Sequence, residues 1–97
     1  MAMNETLYEV KKTNQFKKDY RLAARRSQDL QLLKDIILTL ANGLPLPEKN
    51  RDHALTGDWL GFRECHITPD WLLVYKKDDD ILVLTLTRTG THSDIDF

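Results

Sequence analysis

The stretch Phe62-Arg63-Glu64-Cys65-His66-Ile67-Thr68-Pro69-Asp70-Trp71-Leu72-Leu73-Val74-Tyr75-Lys76 sets the fold. Residues 62–67 read as one strand, Thr68-Pro69-Asp70 as a turn, and residues 71–76 as a second strand. The run from Trp71 to Tyr75 is apolar throughout rather than alternating, which predicts a central strand buried on both faces. Working forward, Lys77-Asp78-Asp79-Asp80 is a turn and residues 81–87 are a last strand. Working back, residues 57–61 form a glycine-bounded turn after a strand over residues 54–56. The second half of the chain is therefore an antiparallel meander.

Before the meander the period changes. Phe16, Tyr20, Ala23 and Ala24 fall on one face of a helix that Thr13 or Asn14 can cap. Leu30, Leu33, Ile36, Ile37 and Leu40 form the apolar stripe of a second helix, with Ser27 as its expected cap. Asn42-Gly43, Pro45 and Pro47 stop it. Residues 6–10 read as a short strand ahead of both helices. The order strand, helix, helix, meander predicts an α+β fold with a two-helix hairpin packed on one face of the sheet, in one domain spanning residues 1–97.

The 97 residues are 41% hydrophobic and 30% charged, in the range of ordinary globular domains. Residues 1–5 lack a basic start and an apolar stretch, and the longest apolar run is strand-sized, so a cytoplasmic location without membrane contact is expected. One cysteine, Cys65, excludes an internal disulfide and reads as a small buried residue. The net charge of −1 argues against a nucleic-acid binder. Its distribution argues the other way, because Lys11, Lys12, Lys17, Lys18, Arg21, Arg25, Arg26 and Lys34 all lie in the first 34 residues.

The meander also makes a geometric prediction about chemistry. His66 ends one strand, Asp70 and Trp71 begin the next, and Arg88 ends the last, with His92 just beyond. The turn at residues 57–61 folds His53 back beside Cys65 and His66. All three histidines of the chain thus share one edge of the sheet with one arginine and one aspartate. Taken singly, each has an ordinary explanation as a loop, turn or strand-end residue, and Trp59, Trp71 and Phe97 as core residues. Together they suit metal-free phosphodiester cleavage of RNA: a base for the 2′-hydroxyl, an acid for the leaving 5′-oxygen, and a cation for the phosphate. Trp71 or Phe97 would then stack on a base. A metal site is the rival use of three histidines and an aspartate, but the spacings match no short ligand motif, so neither metal nor other cofactor is expected.

The segment from Arg51 to Trp71, together with Arg88-Thr89-Gly90-Thr91-His92 and Pro45-Leu46-Pro47, resembles the YafQ-type toxins of the RelE superfamily. The resemblance implies a RelE-like fold and the toxin of a type II toxin–antitoxin pair, an endoribonuclease that cuts translated mRNA on the ribosome. It implies a small DNA-binding antitoxin as partner, with DNA reached only through that partner. It carries catalytic roles onto His53, His66, Asp70 and His92 and substrate contacts onto Arg88, Trp71 and Phe97. His92 is assigned as the general acid and either His53 or His66 as the base, with Asp70 in support. The chain departs from the family tail in holding Asp96 where an aromatic is expected, with Phe97 one position later. Because the chain is acidic overall, Lys17, Lys18, Arg21, Arg25 and Arg26 are expected to make the ribosomal RNA contacts. Two alternatives stand beside this one. One is a non-enzymatic toxin like the gyrase-inhibiting ParE relatives, which lack such a histidine cluster. The other is an inactive homologue retained for antitoxin binding.

Overall fold

The computed structural model describes residues 6–95. Five strands, β1 (Glu9–Lys12), β2 (His53–Ala54), β3 (Arg63–Thr68), β4 (Trp71–Asp78) and β5 (Val83–Gly90), form one sheet in the order β1-β5-β4-β3-β2. Helices α1 (Asn14–Arg25) and α2 (Leu30–Ala41) connect β1 to the rest. β2 to β5 pair antiparallel as a meander, and β1 joins the far edge parallel to β5. Single-turn 3-10 helices occupy Glu48–Asn50 and Gly57–Trp59.

β4 is central, and its alternation divides the core. Trp71, Leu73 and Tyr75 pack with the helices, against Phe16, Ala23, Leu33, Ile36, Ile37 and Leu40. Leu72 and Val74 point the other way, into a smaller cluster with Ile95, Leu55, Trp59 and Phe62. Both sets are almost wholly buried, as the unbroken apolar run predicts. Each fully buried Leu or Ile of the α2 stripe contributes about 1.5–3 kcal/mol of transfer free energy.

Local chemistry sets the helix ends. The Thr13 hydroxyl accepts from the Phe16 amide at 3.0 Å, a cap stabilising α1 by about 1 kcal/mol. The same hydroxyl donates to the Thr87 carbonyl at 2.8 Å, docking the start of α1 on β5. Ser27 does not cap α2. It sits at φ 60°, and its amide donates to Ala24 O, so it terminates α1 in a left-handed turn. Asp29 caps α2 by accepting from the Gln31 amide.

Several boundaries differ from the sequence reading: β3 is shifted by one residue to Arg63–Thr68, and β4 runs on through Asp78 into the expected Lys77–Asp80 turn. The first strand covers Glu9–Lys12 rather than residues 6–10, because the Tyr8 amide is taken by Ala41 O at the end of α2 and the ladder to β5 begins only at Glu9. The strand expected over residues 54–56 is the two-residue β2, since Thr56 leads into a 3-10 turn. The last strand starts at Val83 and runs through Gly90, because Asp78 Oδ1 accepts from the Asp80 and Ile81 amides and holds those residues in the turn. Ala24 is exposed, leaving Phe16, Tyr20 and Ala23 as the inward face of α1.

Beyond β5 the chain turns sharply. Asp94 accepts from the Thr91 amide and receives the Arg26 guanidinium at 2.6 Å, which ties the turn to the end of α1. A Cβ on Gly90 would lie 2.9 Å from that of Asp94, so only glycine lets the turn close. The Arg26 hydrogen bond, with the Thr91 amide, lowers the Asp94 carboxyl to about 2. A depressed carboxyl stabilises the fold above its unfolded value of about 3.9 and loses that contribution as pH falls through its folded one. Both partners are partly exposed, so solvent screening keeps the contribution of the ion pair small. The unfolding free energies of wild type and Asp94→Asn should therefore differ most at neutral pH and converge between about pH 4 and pH 2, measured by urea titration across that range.

Candidate active site

The antiparallel registers put the chemistry on the sheet face turned away from the helices. Opposed residues in such a ladder project to the same side. His53 opposes Glu64, Glu64 opposes Val74, and Val74 opposes Arg88, one row running from β2 to β5. His66 opposes Leu72 in the next row. Leu72 and Val74 belong to the cluster on the side without helices, so His53, Glu64, His66 and Arg88 are rooted there too.

On that face the side chains form an arc. His53 opposes Glu64 rather than Cys65, one position from the sequence reading. Its Nδ1 lies 2.7 Å from the Arg51 carbonyl, which can only accept, so Nδ1 carries the proton and Nε2 faces Glu64. Arg51 sits in the left-handed region at φ 47°, at the end of the Glu48–Asn50 turn. Glu64 Oε1 lies 3.8 Å from His53 Nε2 and 3.3 Å from His66 Nε2, joining two histidines through one nearly buried carboxylate. The His66 carbonyl is held by the Asn50 amide group at 2.7 Å. The His66 and His92 rings meet edge to face, 5.7 Å between centroids.

His92 ends the arc. Its Nδ1 and its backbone amide both donate to Asp70 Oδ1, at 2.8 and 3.3 Å. The carboxylate sets the tautomer and leaves Nε2 exposed to solvent. The His92 ring N–H, then its amide, hold the Asp70 carboxyl below the usual carboxylate range. The register shift between His66 and Thr68 lies at the end of β3, where His66 and Asp70 flank the β3–β4 turn.

The remaining expected site residues are placed differently. The Arg88 guanidinium is bound by Asp19 of α1 through Nε at 2.7 Å and Nη2 at 3.3 Å. Trp71 is a correction. At 1% exposure it lies in the helix-side core, its indole donating to Thr89 Oγ1, and offers no face for stacking on a base. Phe97 lies outside the described residues. Burial raises the Cys65 thiol well above its ordinary value, so it is no nucleophile at neutral pH. Lys17, Lys18, Arg21, Arg25 and Arg26 are all exposed on α1, with Arg26 engaged by Asp94. Among the described residues no three His, Cys, Asp or Glu side chains are grouped so as to hold a metal ion.

Sequence reading missed Glu64 and Asp19. The strand pattern carries a weak signal for Glu64, since it shares parity with His66. For Asp19 there is none, because a charged residue among lysines on a helix reads as solvated surface.

A histidine-rich arc thus lies on the open face of a five-stranded α+β sheet backed by two helices. The model of the YafQ family, described as the bacterial toxin of a type II toxin–antitoxin system, matches residues 8–96, and the chain belongs to that family. The mRNA interferase toxin YafQ of Escherichia coli K12 is 42% identical over 86 residues, 88% of this chain and 91% of that protein. A putative YafQ toxin of Haemophilus influenzae is 38% identical, over 87% of each chain. The crystal structure of the E. coli DinJ–YafQ toxin–antitoxin complex contains a chain that matches with a TM-score of 0.84 at 40% identity, covering 92% of this chain and 97% of that one.

Replacing His92 by alanine removes the ring donor and leaves the amide. The Asp70 carboxyl should then titrate closer to its ordinary value but stay slightly below it, as followed by 13C NMR of the side-chain carboxyl between pH 2 and 6.

Proposed function

We propose that this toxin is a ribosome-dependent endoribonuclease that cuts translated mRNA by metal-independent acid–base chemistry. The observation that carries the reading is the arc itself. Two histidines with defined tautomers, His53 and His92, stand at its ends, each with its Nδ1 proton committed, which leaves Nε2 as the nitrogen that can exchange a proton with substrate. That is the arrangement a two-proton reaction needs. A base, His53 or His66, takes the proton of the 2′-hydroxyl. The 2′-oxygen attacks phosphorus and forms a new P–O bond. The bond from phosphorus to the 5′-oxygen breaks, and His92 delivers a proton to that oxygen. The products are a 2′,3′-cyclic phosphate and a free 5′-hydroxyl.

Each role has a local cause. Asp70 stabilises the imidazolium of His92 that the acid role requires. Glu64 faces the Nε2 atoms of both candidate bases and favours whichever has taken up the proton. Arg88 is rooted in the same row as His53 and Glu64 and supplies the charge that phosphate needs. The exposed cations of α1, Lys17, Lys18, Arg21 and Arg25 with Arg26 at its end, support docking on ribosomal RNA.

The family pairs a toxin with an antitoxin, and the E. coli relative is solved with DinJ. By that likeness this chain is neutralised in the cytoplasm by a cognate DNA-binding antitoxin and reaches DNA only through it.

The test is to map RNA ends in a purified translation system, wild type beside His92→Ala. Wild type should create new internal ends on translated message, and His92→Ala should slow their appearance by about 100-fold or more. Absence of new ends with wild-type protein, at concentrations that still arrest translation, would overturn the nuclease reading.

A further inference from the structure

Helix α1 and its caps grip β5 at two places and the turn beyond His92 at a third. The Thr13 hydroxyl donates to Thr87 O, Asp19 binds Arg88 and Thr89, and Arg26 binds Asp94. The middle grip is a buried one. Asp19 is 8% exposed, and its carboxylate accepts from Arg88 Nε at 2.7 Å, Arg88 Nη2 at 3.3 Å, the Thr89 amide at 3.1 Å and Gln15 Nε2 at 3.0 Å. A carboxylate removed from water needs this number of donors, and here three of the four belong to one arginine and the backbone beside it, the fourth being Gln15 of α1.

The pairing uses one edge of the guanidinium. Nε and Nη2 form its side-on edge, and both are committed to Asp19. The end-on edge, made by Nη1 and the outer N–H of Nη2, makes no hydrogen bond with Asp19. A planar guanidinium held along one edge presents the other in a fixed orientation, with little entropy left to lose when an anion docks. Arg88 itself is rooted on the open face in register with Val74 and Glu64, four residues before His92.

We propose that Asp19 is a positioning residue for RNA cleavage, one that fixes Arg88 by its side-on edge so that the end-on edge receives the scissile phosphate. The proposal rests on the nuclease reading above. Asp19 touches no reacting atom; it also anchors the Thr89 amide, but its effect on cleavage runs through Arg88, which separates it from a residue that merely keeps α1 in place.

A double-mutant cycle separates the two. Single-turnover cleavage is measured for wild type, Asp19→Asn, Arg88→Ala and the double variant, with thermal unfolding of each. Asparagine keeps one acceptor and turns an amide N–H₂ toward the guanidinium. Asp19→Asn should slow cleavage by about ten- to a hundredfold, as expected when a phosphate-binding group is displaced, and should cost nothing further once Arg88 is alanine. An equal loss in both backgrounds, or no loss in the single variant, overturns the proposal. The wild-type protein supplies a readout independent of variant folding and of turnover. In 15N NMR the Arg88 Nε–H should be protected from exchange and stay so when a non-cleavable 2′-deoxy oligonucleotide is added to a concentration at which backbone amide shifts show it bound, while the Nη signals shift. Loss of the protected Nε–H, or Nη signals that do not move, counts against Asp19 even if cleavage is robust. Failure of wild type to cut with the NMR response intact would strike the nuclease reading instead.

Discussion

β4 is buried on both faces, and the rest of the structure is arranged by that constraint. Its odd-numbered residues meet the helices, and its even-numbered ones meet the cluster around Ile95. A slip of one residue would turn Leu72 and Val74 under the helices and Leu73 and Tyr75 away from them, so the register is strongly specified. Through the ladders the register of β4 passes to β3 and β5, and so decides which face His66, Glu64 and Arg88 occupy. The site is a consequence of core packing on the strand between β3 and β5.

The open face is then completed from three directions. The 3-10 turn at Glu48–Asn50 brings Arg51 O to His53 and Asn50 to the His66 carbonyl. The β3–β4 turn brings Asp70 to His92. Helix α1 holds the end of β5 through Thr13 and Asp19 and the tail through Arg26. Each catalytic candidate has its ring oriented by a backbone carbonyl or a carboxylate, the kind of support that keeps a small active site in geometry.

The order of elements, the α2 stripe, the Thr13 cap and the central strand were all legible in the sequence, because each rests on a local period or a short-range hydrogen bond. So was the shared address of His53, His66, Asp70 and His92, since strand direction alone brings those positions together. What escaped depends on contacts far apart in the chain. The ion pair of Asp19 with Arg88 joins positions 69 apart in sequence, and no local pattern announces that a helix aspartate is buried. Glu64 gains its role only when β2 sets His53 opposite it. Trp71 beside Asp70 reads as a stacking residue until the parity of β4 turns it into the helix-side core. Ser27 satisfies the composition rule for a cap but lies in the left-handed turn that ends α1, two residues before the cap Asp29.

In the proposed reaction His92, oriented by Asp70, donates the proton to the leaving oxygen. An RNA whose scissile 5′-oxygen is replaced by sulfur tests it most directly, because a thiolate leaves without protonation. The rate for wild type and His92→Ala is compared on the oxygen and sulfur substrates. The account predicts a large defect for the variant on oxygen and near-equal rates on sulfur. The same defect on both substrates would contradict it and move His92 from acid to another role.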